Sequence, residues 1–178
     1  MSKPHTVPFS WHKFEVRRAK LRLPNQQLQE HTFLHHPGAV VIVPLFDNLD
    51  LLCIRQYRAA IDQWIIELPA GTLEPNEAPE LSAKRELIEE CNYQAQTWQK
   101  LGELLPAPGF CDERQYIYMA QQLSPCLGQC DEDEFIEPLR LSFEEFEGKV
   151  FSGEIIDAKT IAAYFKARQF LLRKETNN

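Results

Sequence analysis

Hydrophobic and polar positions alternate in some segments of the chain and form continuous apolar runs in others. Residues 14–23 and 28–36 alternate, which predicts two strands, and the Pro and Asn of LPNQQ between them favour a hairpin turn. Residues 38–46 form a β-branched apolar run that is typical of a buried strand. Further strands are predicted over 49–58, 64–71, the first part of 97–109, 114–123 and 136–142.

Three segments have helical patterns. The first begins at Pro79 and runs to about Cys91, where Asn92 tolerates the left-handed conformation that often ends a helix. A short helix is predicted over 143–151. A longer one follows, with its apolar side expected at Ile161, Ala162, Phe165 and Phe170. A strand-rich, mixed order with inserted helices predicts an α+β fold, in which a mixed sheet is flanked by helices.

Composition limits which binding partners and which cellular compartment we expect for this protein. The net charge of −7 argues against a general affinity for nucleic acid or anionic membranes. No apolar run approaches the roughly 20 residues of a membrane-spanning helix, and the first residues lack the apolar core of a signal peptide. Without an export signal, the cysteines are expected to be reduced thiols in a cytoplasmic protein. They are Cys53, Cys91, Cys111, Cys126 and Cys130.

The segment RELIEEC, residues 85–91, concentrates carboxylates on one side of the predicted helix. At about 100° per residue, Glu86, Glu89 and Glu90 fall within an arc of roughly 100°, and like charges four residues apart repel each other. Arg85 can pair with Glu89 and offset part of this repulsion. Clustered carboxylates suit Mg²⁺ or Mn²⁺, although a solvated acidic face is the ordinary alternative. The opposite, core-facing side is predicted to carry Leu81, Ala83, Leu87, Ile88 and Cys91.

The wider segment GTLEPNEAPELSAKRELIEECNY, residues 71–93, resembles the signature of the Nudix hydrolases. That signature has Gly, five residues, Glu, seven residues, Arg-Glu, an aliphatic residue, any residue, Glu-Glu, any residue, Gly and an aliphatic residue. Asn92 and Tyr93 depart from its last two positions. Asn92 keeps the tolerance for a left-handed backbone, so we expect little effect. The matching residues are Gly71, Glu77, Arg85, Glu86, Leu87, Glu89 and Glu90.

The resemblance implies a Nudix-like α/β/α sandwich with a mixed sheet, and a loop–helix–loop that binds divalent metal beside a pyrophosphate. Mg²⁺ or Mn²⁺ is the cofactor that the resemblance implies. Arg85 and Glu77 would brace this unit without taking part in the chemistry. The implied metal ligands are Glu86 and Glu90, the carbonyl of Ala70 and, in a supporting role, Glu89.

Segments spread over residues 35–166 are similar to ADP-ribose pyrophosphatases within that family. The stretches that carry this likeness are HPGAVVIVP, IRQYR, IELPAG, APGFCDE and SGEIIDAKT, together with Pro108, which lies fifteen residues after Tyr93. By position, Arg58 would contact phosphate and Glu113 would contact the far ribose. A surface ion pair for Arg58 and a solvated loop acid for Glu113 are the plainer alternatives.

The acidic segment Asp131-Glu132-Asp133-Glu134 lies where related enzymes have a loop that closes over the metals. The resemblance implies that one glutamate of this loop is the general base, with Glu134 preferred and Glu132 next. A carboxylate that must reach the attacking water after substrate binds is better placed on a loop than on a fixed helix. Four consecutive acids are otherwise typical of a solvated turn.

The implied reaction is metal-dependent hydrolysis of the diphosphate bond of a nucleoside diphosphate sugar, ADP-ribose giving AMP and ribose 5-phosphate. The alternatives are another substrate of this class, such as GDP-mannose, or a non-catalytic relative that binds a nucleotide sugar. The resemblance also implies a homodimer. Residues 1–37 would form N-terminal antiparallel strands exchanged with the partner, and 38–178 the hydrolase domain. Within residues 9–36, the expected contacts are Phe9, Trp11, Phe14 and Phe33.

Overall fold

A computed structural model describes residues 5–11, 13–128 and 135–176, with the side chains of 13–128, 135–174 and 176. The chain has the α+β fold expected from its sequence. Its strands are β1 His5–Trp11, β2 Phe14–Arg22, β3 Leu28–His35, β4 Ala39–Leu45, β5 Leu51–Arg58, β6 Gln63–Glu67, β7 Ala70–Thr72, β8 Tyr93–Leu104, β9 Gln115–Pro125 and β10 Ile136–Leu141. Its helices are α1 Pro79–Cys91, α2 Phe143–Ser152 and α3 Ala158–Glu175.

The main sheet is mixed and has the strand order β10-β5-β4-β9-β8, with β6 paired to β5 and β7 paired to β4. Strand β4 lies at its centre, parallel to β9 and antiparallel to β7. Every residue of β4 is buried, which explains its continuous apolar sequence. The short strand β7 ends against β4, so the chain leaves the middle of the sheet immediately before α1.

Side chains of β4 alternate between two hydrophobic clusters, one on each face of the sheet. Val40 and Ile42 pack with Ala83 and Leu87 of α1. Helices α2 and α3 cover the opposite face, where the β4 side chains pack with residues that include Phe146 and Tyr164. Helices on both faces of a sheet make a three-layer α/β/α sandwich, as expected.

A second sheet of three antiparallel strands, β1-β2-β3, precedes the sandwich. Strand β1 was not predicted from the sequence. Leu34 of β3 exchanges backbone hydrogen bonds with the loop after β8, donating to the carbonyl of Phe110 and accepting from the amide of Asp112. The Asp112 carboxylate also accepts from the backbone N–H of His36 at 2.9 Å. These bonds attach the N-terminal sheet to the sandwich beside the loop that carries Glu113.

Two helix faces differ from the sequence-based expectation. In α1, Ala83, Leu87 and Cys91 are buried as predicted, but Leu81 is 59% exposed. Leu81 lies in the first turn of the helix. In α3, Phe165 is 42% exposed, and the fully buried neighbour Tyr164 takes the central core position. The buried side of α3 is made by Thr160, Ala163, Tyr164 and Ala167.

Asn92 ends α1 in the left-handed region, with φ 56° and ψ 37°. Its N–H donates to the carbonyl of Ile88, and its side-chain Oδ1 accepts from the N–H of Gly128 at 2.9 Å. Asn92 therefore caps the helix and attaches the segment after β9 to it. The glycine of the Nudix signature could supply the first role but not the second.

We expect Asn92→Ala to lower the free energy of unfolding by about 1–2 kcal/mol, because alanine is strained at positive φ and lacks the hydrogen bond to Gly128. Asn92→Gly removes only the hydrogen bond and should cost less. Urea denaturation of both variants measures the difference. Equal stability of the two variants would contradict a contribution from backbone strain.

Candidate active site

The loop and helix after β7 are organised around the guanidinium of Arg85. Its Nε and Nη2 donate to the two carboxylate oxygens of Glu77 at 3.0 and 2.9 Å. Its Nη1 donates to Glu86 and to Glu89, at 2.8 Å in each case. One cation thus contacts three carboxylates, which offsets their mutual repulsion, and the pair Arg85–Glu89 expected from sequence is present. These neighbours raise the pKa of Arg85.

Glu77 fixes the loop between β7 and α1. Besides its two bonds from Arg85, it accepts from the backbone N–H of Glu74 at 3.1 Å. The hydrogen bonds from Arg85, more than any other contact, lower the pKa of Glu77 to about 2. Glu77 therefore stays ionised and holds the loop at all physiological pH values.

The depressed pKa of Glu77 predicts a measurable pH dependence of stability. A carboxyl group with a lower pKa in the folded state stabilises the fold above its ordinary pKa of 4.5, and this stabilisation is lost as the pH falls through about 2. We expect Glu77→Gln to be less stable than the wild type at pH 7, and the difference to shrink below pH 4.5. Urea denaturation between pH 7 and pH 2 tests this. The exposed Glu144 provides the control variant Glu144→Gln, and an equal pH slope for all three proteins would contradict the prediction.

Glu86 and Glu90 are buried, being 8% and 4% exposed, and lie against strand β7. Glu90 Oε2 accepts from the backbone N–H of Ala70 at 2.9 Å. The Glu86 carboxylate occupies the space in front of Gly71, where a Cβ atom would lie 1.8 Å from its Oε1. Residue 71 must therefore be glycine for this carboxylate to rest against the strand. Buried carboxylates require compensating cations or hydrogen-bond donors.

This donor set suits a hard divalent cation. Glu86 and Glu90 offer carboxylate oxygens beside the backbone of Ala70, and Mg²⁺ and Mn²⁺ favour carboxylate, carbonyl and water ligands. Glu89 is more exposed and accepts from Arg85. Among the residues that the structure describes, no three Asp, Glu, His or Cys side chains converge as a metal-binding group. The described site thus brings together two carboxylates at β7, with Glu89 farther out.

A cavity of about 710 Å³ is lined by Glu86 and Glu89 of this group. Its volume is within the range of small-molecule sites. A second cavity, of about 320 Å³, shares Arg58 and the β7 residues Ala70, Gly71 and Thr72 with the first. An elongated ligand could therefore lie across β7 with its ends in different cavities. The larger cavity is lined by Lys13, Pro37, Gln56, Arg58, Ala70, Gly71, Thr72, Leu73, Glu74, Pro75, Arg85, Glu86 and Glu89.

Arg58 lines both cavities, and its guanidinium is held in place by a buried acid. Nε and Nη2 donate to the two oxygens of Glu67 at 2.6 and 2.7 Å, in a bidentate pair. Lys159 donates to the same Glu67 carboxylate. These contacts, chiefly the hydrogen bonds to Glu67, raise the pKa of Arg58. Arg58 thus makes an ion pair, but with a fully buried acid, while its own side chain is 40% exposed, and its contact with phosphate stays a prediction.

Glu67 and Lys159 were not assigned a role from the sequence. The available signal for Glu67 was an acid at the end of the otherwise apolar run WIIE, directly before LPAG. Lys159 lies in SGEIIDAKT, a stretch that resembles ADP-ribose pyrophosphatases, but 92 residues separate it from Glu67. Their pairing could not be inferred from local pattern.

Glu113 lines the smaller cavity with His36, Gln115 and Lys159. Its Oε1 accepts from the Gln115 side chain at 3.0 Å and lies 3.9 Å from His36 Nδ1. Glu113 therefore lines a different cavity from Glu86, and its contact with the far sugar stays a prediction. Glu132 and Glu134, the candidates for the general base, lie outside the described residues, as does Cys130.

Comparison with known proteins now identifies the family. Residues 35–164 match the NUDIX domain, and this range covers most of the chain. An ADP-ribose pyrophosphatase of Bacillus subtilis (strain 168) is 36% identical over 169 residues, which are 94% of this chain and 89% of that protein.

The chain belongs to the Nudix family.

Two further proteins extend the likeness. A GDP-mannose pyrophosphatase of Cronobacter sakazakii (strain ATCC BAA-894) is 35% identical over 133 residues, covering 70% of this chain and 69% of that one. A solved crystal structure of an ADP compounds hydrolase has a TM-score of 0.81 at 26% identity, and the match covers 98% of this Nudix chain and 97% of the other. The shared architecture includes the N-terminal strands, which lie before the matched domain.

In the part of the chain that the structure describes, no helix is both long and apolar enough to cross a membrane. Cys53, Cys91, Cys111 and Cys126 are free cysteines. Burial raises the pKa of Cys53 to about 12, so this thiol is unreactive at neutral pH.

Proposed function

We propose that this Nudix protein hydrolyses the diphosphate bond of a nucleoside diphosphate sugar, with ADP-ribose as the preferred substrate and AMP and ribose 5-phosphate as products. The observation that carries this proposal is a cavity lined by both Glu86 and Arg58, with the buried carboxylate of Glu90 held against the backbone of Ala70 beside it. Carboxylates for a dication and a guanidinium for phosphate are the two groups that a diphosphate requires.

Mg²⁺ or Mn²⁺ would be held by Glu86, Glu90 and the Ala70 carbonyl, with Glu89 in support. A bound dication supplies charge neutralisation for the diphosphate and lowers the pKa of the attacking water. Arg85 orients Glu86 through its hydrogen bond at 2.8 Å. The N–H of Ala70 orients Glu90 in the same way at 2.9 Å.

Arg58 would bind the phosphates and stabilise the charge that develops on their oxygens. Glu113, which lines the smaller cavity, would accept hydrogen bonds from hydroxyl groups of the second sugar. Glu134, or else Glu132, would take the proton from the attacking water, since a loop residue can reach it after substrate binds. In this arrangement the two cavities divide the substrate at its diphosphate.

GDP-mannose is the second candidate substrate, and the likeness to a GDP-mannose pyrophosphatase supports it. Both reactions need the same metal and phosphate residues, so the two candidates differ in base and sugar recognition alone. Assaying a panel of nucleoside diphosphate sugars with Mg²⁺ and with Mn²⁺ distinguishes them. AMP released from ADP-ribose supports the first candidate, and GMP released from GDP-mannose supports the second. If these compounds bind but are not hydrolysed, both candidate activities are wrong and the protein has a non-catalytic binding role.

We also propose that two copies associate through the N-terminal sheet, with residues 1–37 exchanged and 38–178 forming the hydrolase domain. Exposed apolar side chains on and beside this sheet, Leu21, Leu28 and Phe110, support an interface there. Light scattering at micromolar concentration measures the assembly, and a monomer mass would overturn the proposed dimer.

The cytoplasm is the proposed compartment, where free cysteines such as the partly exposed Cys111 stay reduced.

A further inference from the structure

The first turn of α3 contacts the segment between β6 and β7, just before the strand at the proposed metal site. Thr160, which is fully buried, accepts a hydrogen bond through Oγ1 from the backbone N–H of Leu68 at 2.8 Å. Leu68 follows Glu67 and precedes Pro69 and Ala70, so this bond fixes the backbone between the acid that holds Arg58 and the strand that meets Glu90. The position of α3 is thereby linked to the geometry of the active site.

Lys159 brings a second cation to the buried Glu67 carboxylate. Its Nζ contacts Glu67 Oε2, the same oxygen that accepts from Arg58 Nη2. Lys159 also donates to Asp157 Oδ2 at 3.0 Å, and Asp157 caps the helix by accepting from the N–H of Thr160 at 2.9 Å. Lys159 is mostly buried, with 14% of its side chain exposed, and its position is set by two carboxylates.

The shared carboxylate leaves Arg58 able to bind a ligand. Nε and Nη2 are occupied by Glu67, whereas Nη1 makes no hydrogen bond within the described residues. Arg58 is also 40% exposed and lines both cavities. Because Lys159 neutralises part of the charge of Glu67 and Asp157, the guanidinium is not the sole counterion of two acids. Its positive potential can then act on an anion in the cavity.

We propose that Lys159 is a positioning residue for Arg58: acting through Glu67, it keeps the guanidinium oriented and electrostatically available to the diphosphate of the substrate. This inference rests on the proposed hydrolysis of a nucleoside diphosphate sugar. Without Lys159, the acids Glu67 and Asp157 would share Arg58 alone, and the smaller cavity, which both Lys159 and Arg58 line, would become more negative. An anionic ligand would then bind less tightly.

Steady-state kinetics of Lys159→Met test the proposal. We expect KM for ADP-ribose to rise about 10-fold, equivalent to about 1.4 kcal/mol, while kcat changes less than about threefold. Arg58 contacts phosphate both before and during the reaction, so its loss of effectiveness weakens binding more than turnover. Lys159→Arg, which keeps the charge, should restore KM to within about threefold of the wild type. The matched control is Lys149→Met, because Lys149 also pairs with a carboxylate, Glu154, but on α2 outside both cavities.

A second measurement separates this inference from the proposed function. Calorimetric titration with ADP, which keeps the diphosphate of the substrate, should show about 10-fold weaker binding to Lys159→Met than to the wild type or to Lys149→Met. If the wild type hydrolyses none of the substrates, the proposed function fails, and ADP binding still decides the role of Lys159. If Lys159→Met does not fold by circular dichroism, Lys159→Gln removes the charge and keeps a hydrogen-bond donor. Unchanged KM and unchanged ADP affinity in the folded variant would overturn the proposal.

Discussion

Glu86→Gln is expected to lower kcat by about 10³-fold without unfolding the protein. The substitution removes the negative charge of a buried carboxylate in front of Gly71, and losing this proposed metal ligand would cost about 4 kcal/mol of transition-state stabilisation. The amide has nearly the same volume and can still accept from Arg85. The fold should therefore keep its circular dichroism spectrum and change its melting temperature only slightly.

The measurement compares kcat with excess Mg²⁺ for Glu86→Gln, the wild type and Glu80→Gln. Glu80 is the matched control, since it lies on the same helix, is exposed and pairs with Lys84. Glu90→Gln should lower kcat as Glu86→Gln does. It also removes the charged carboxylate that accepts a hydrogen bond from the N–H of Ala70. Calorimetric titration with Mn²⁺ gives a readout besides activity. Near-normal kcat and Mn²⁺ affinity for either variant would show that the metal assignment is wrong.

Gly71→Ala is expected to reduce kcat by about 10²-fold, because its methyl group would displace the carboxylate of Glu86. The new Cβ would lie 1.8 Å from Glu86 Oε1, a separation that no pair of atoms tolerates, so the carboxylate must move. Since the carboxylate is the end of a flexible side chain, it can turn away at a modest cost to the fold. Displacing a metal ligand should therefore reduce activity far more than stability.

Activity and urea denaturation measured on the same sample separate these two effects. We expect the free energy of unfolding of Gly71→Ala to fall by about 1–2 kcal/mol. The control is Gly148→Ala in α2, where a Cβ would meet nothing within 4 Å. This control should be as active as the wild type and somewhat more stable, because alanine favours helix. Full activity for Gly71→Ala would contradict the proposed role of Glu86 at that position.

Local sequence patterns predicted most elements, because each element's own residues decide its periodicity and its ends. Helix α1 runs from Pro79 to Cys91 and has Asn92 as its left-handed C-cap, as expected. The alternating segments became β2 and β3, and the continuous apolar run became β4. The predicted strand over 64–71 is divided into β6 and β7. The division has a tertiary cause: the N–H of Leu68 is taken by Thr160, and Pro69 has no N–H to pair.

By itself, the sequence determined the Nudix helix and its carboxylates, because Gly71, Glu77, Arg85, Glu86 and Glu90 lie within one turn-and-helix unit whose spacing sets their geometry. Only the tertiary structure decided how Arg58 is held. Its partner Glu67 is on the next strand, and the cation that shares this acid, Lys159, is contributed by a helix 92 residues further along the chain. Electrostatic contacts between distant segments depend on how the sheet and α3 pack together. The local pattern of apolar and polar residues does not predict that packing.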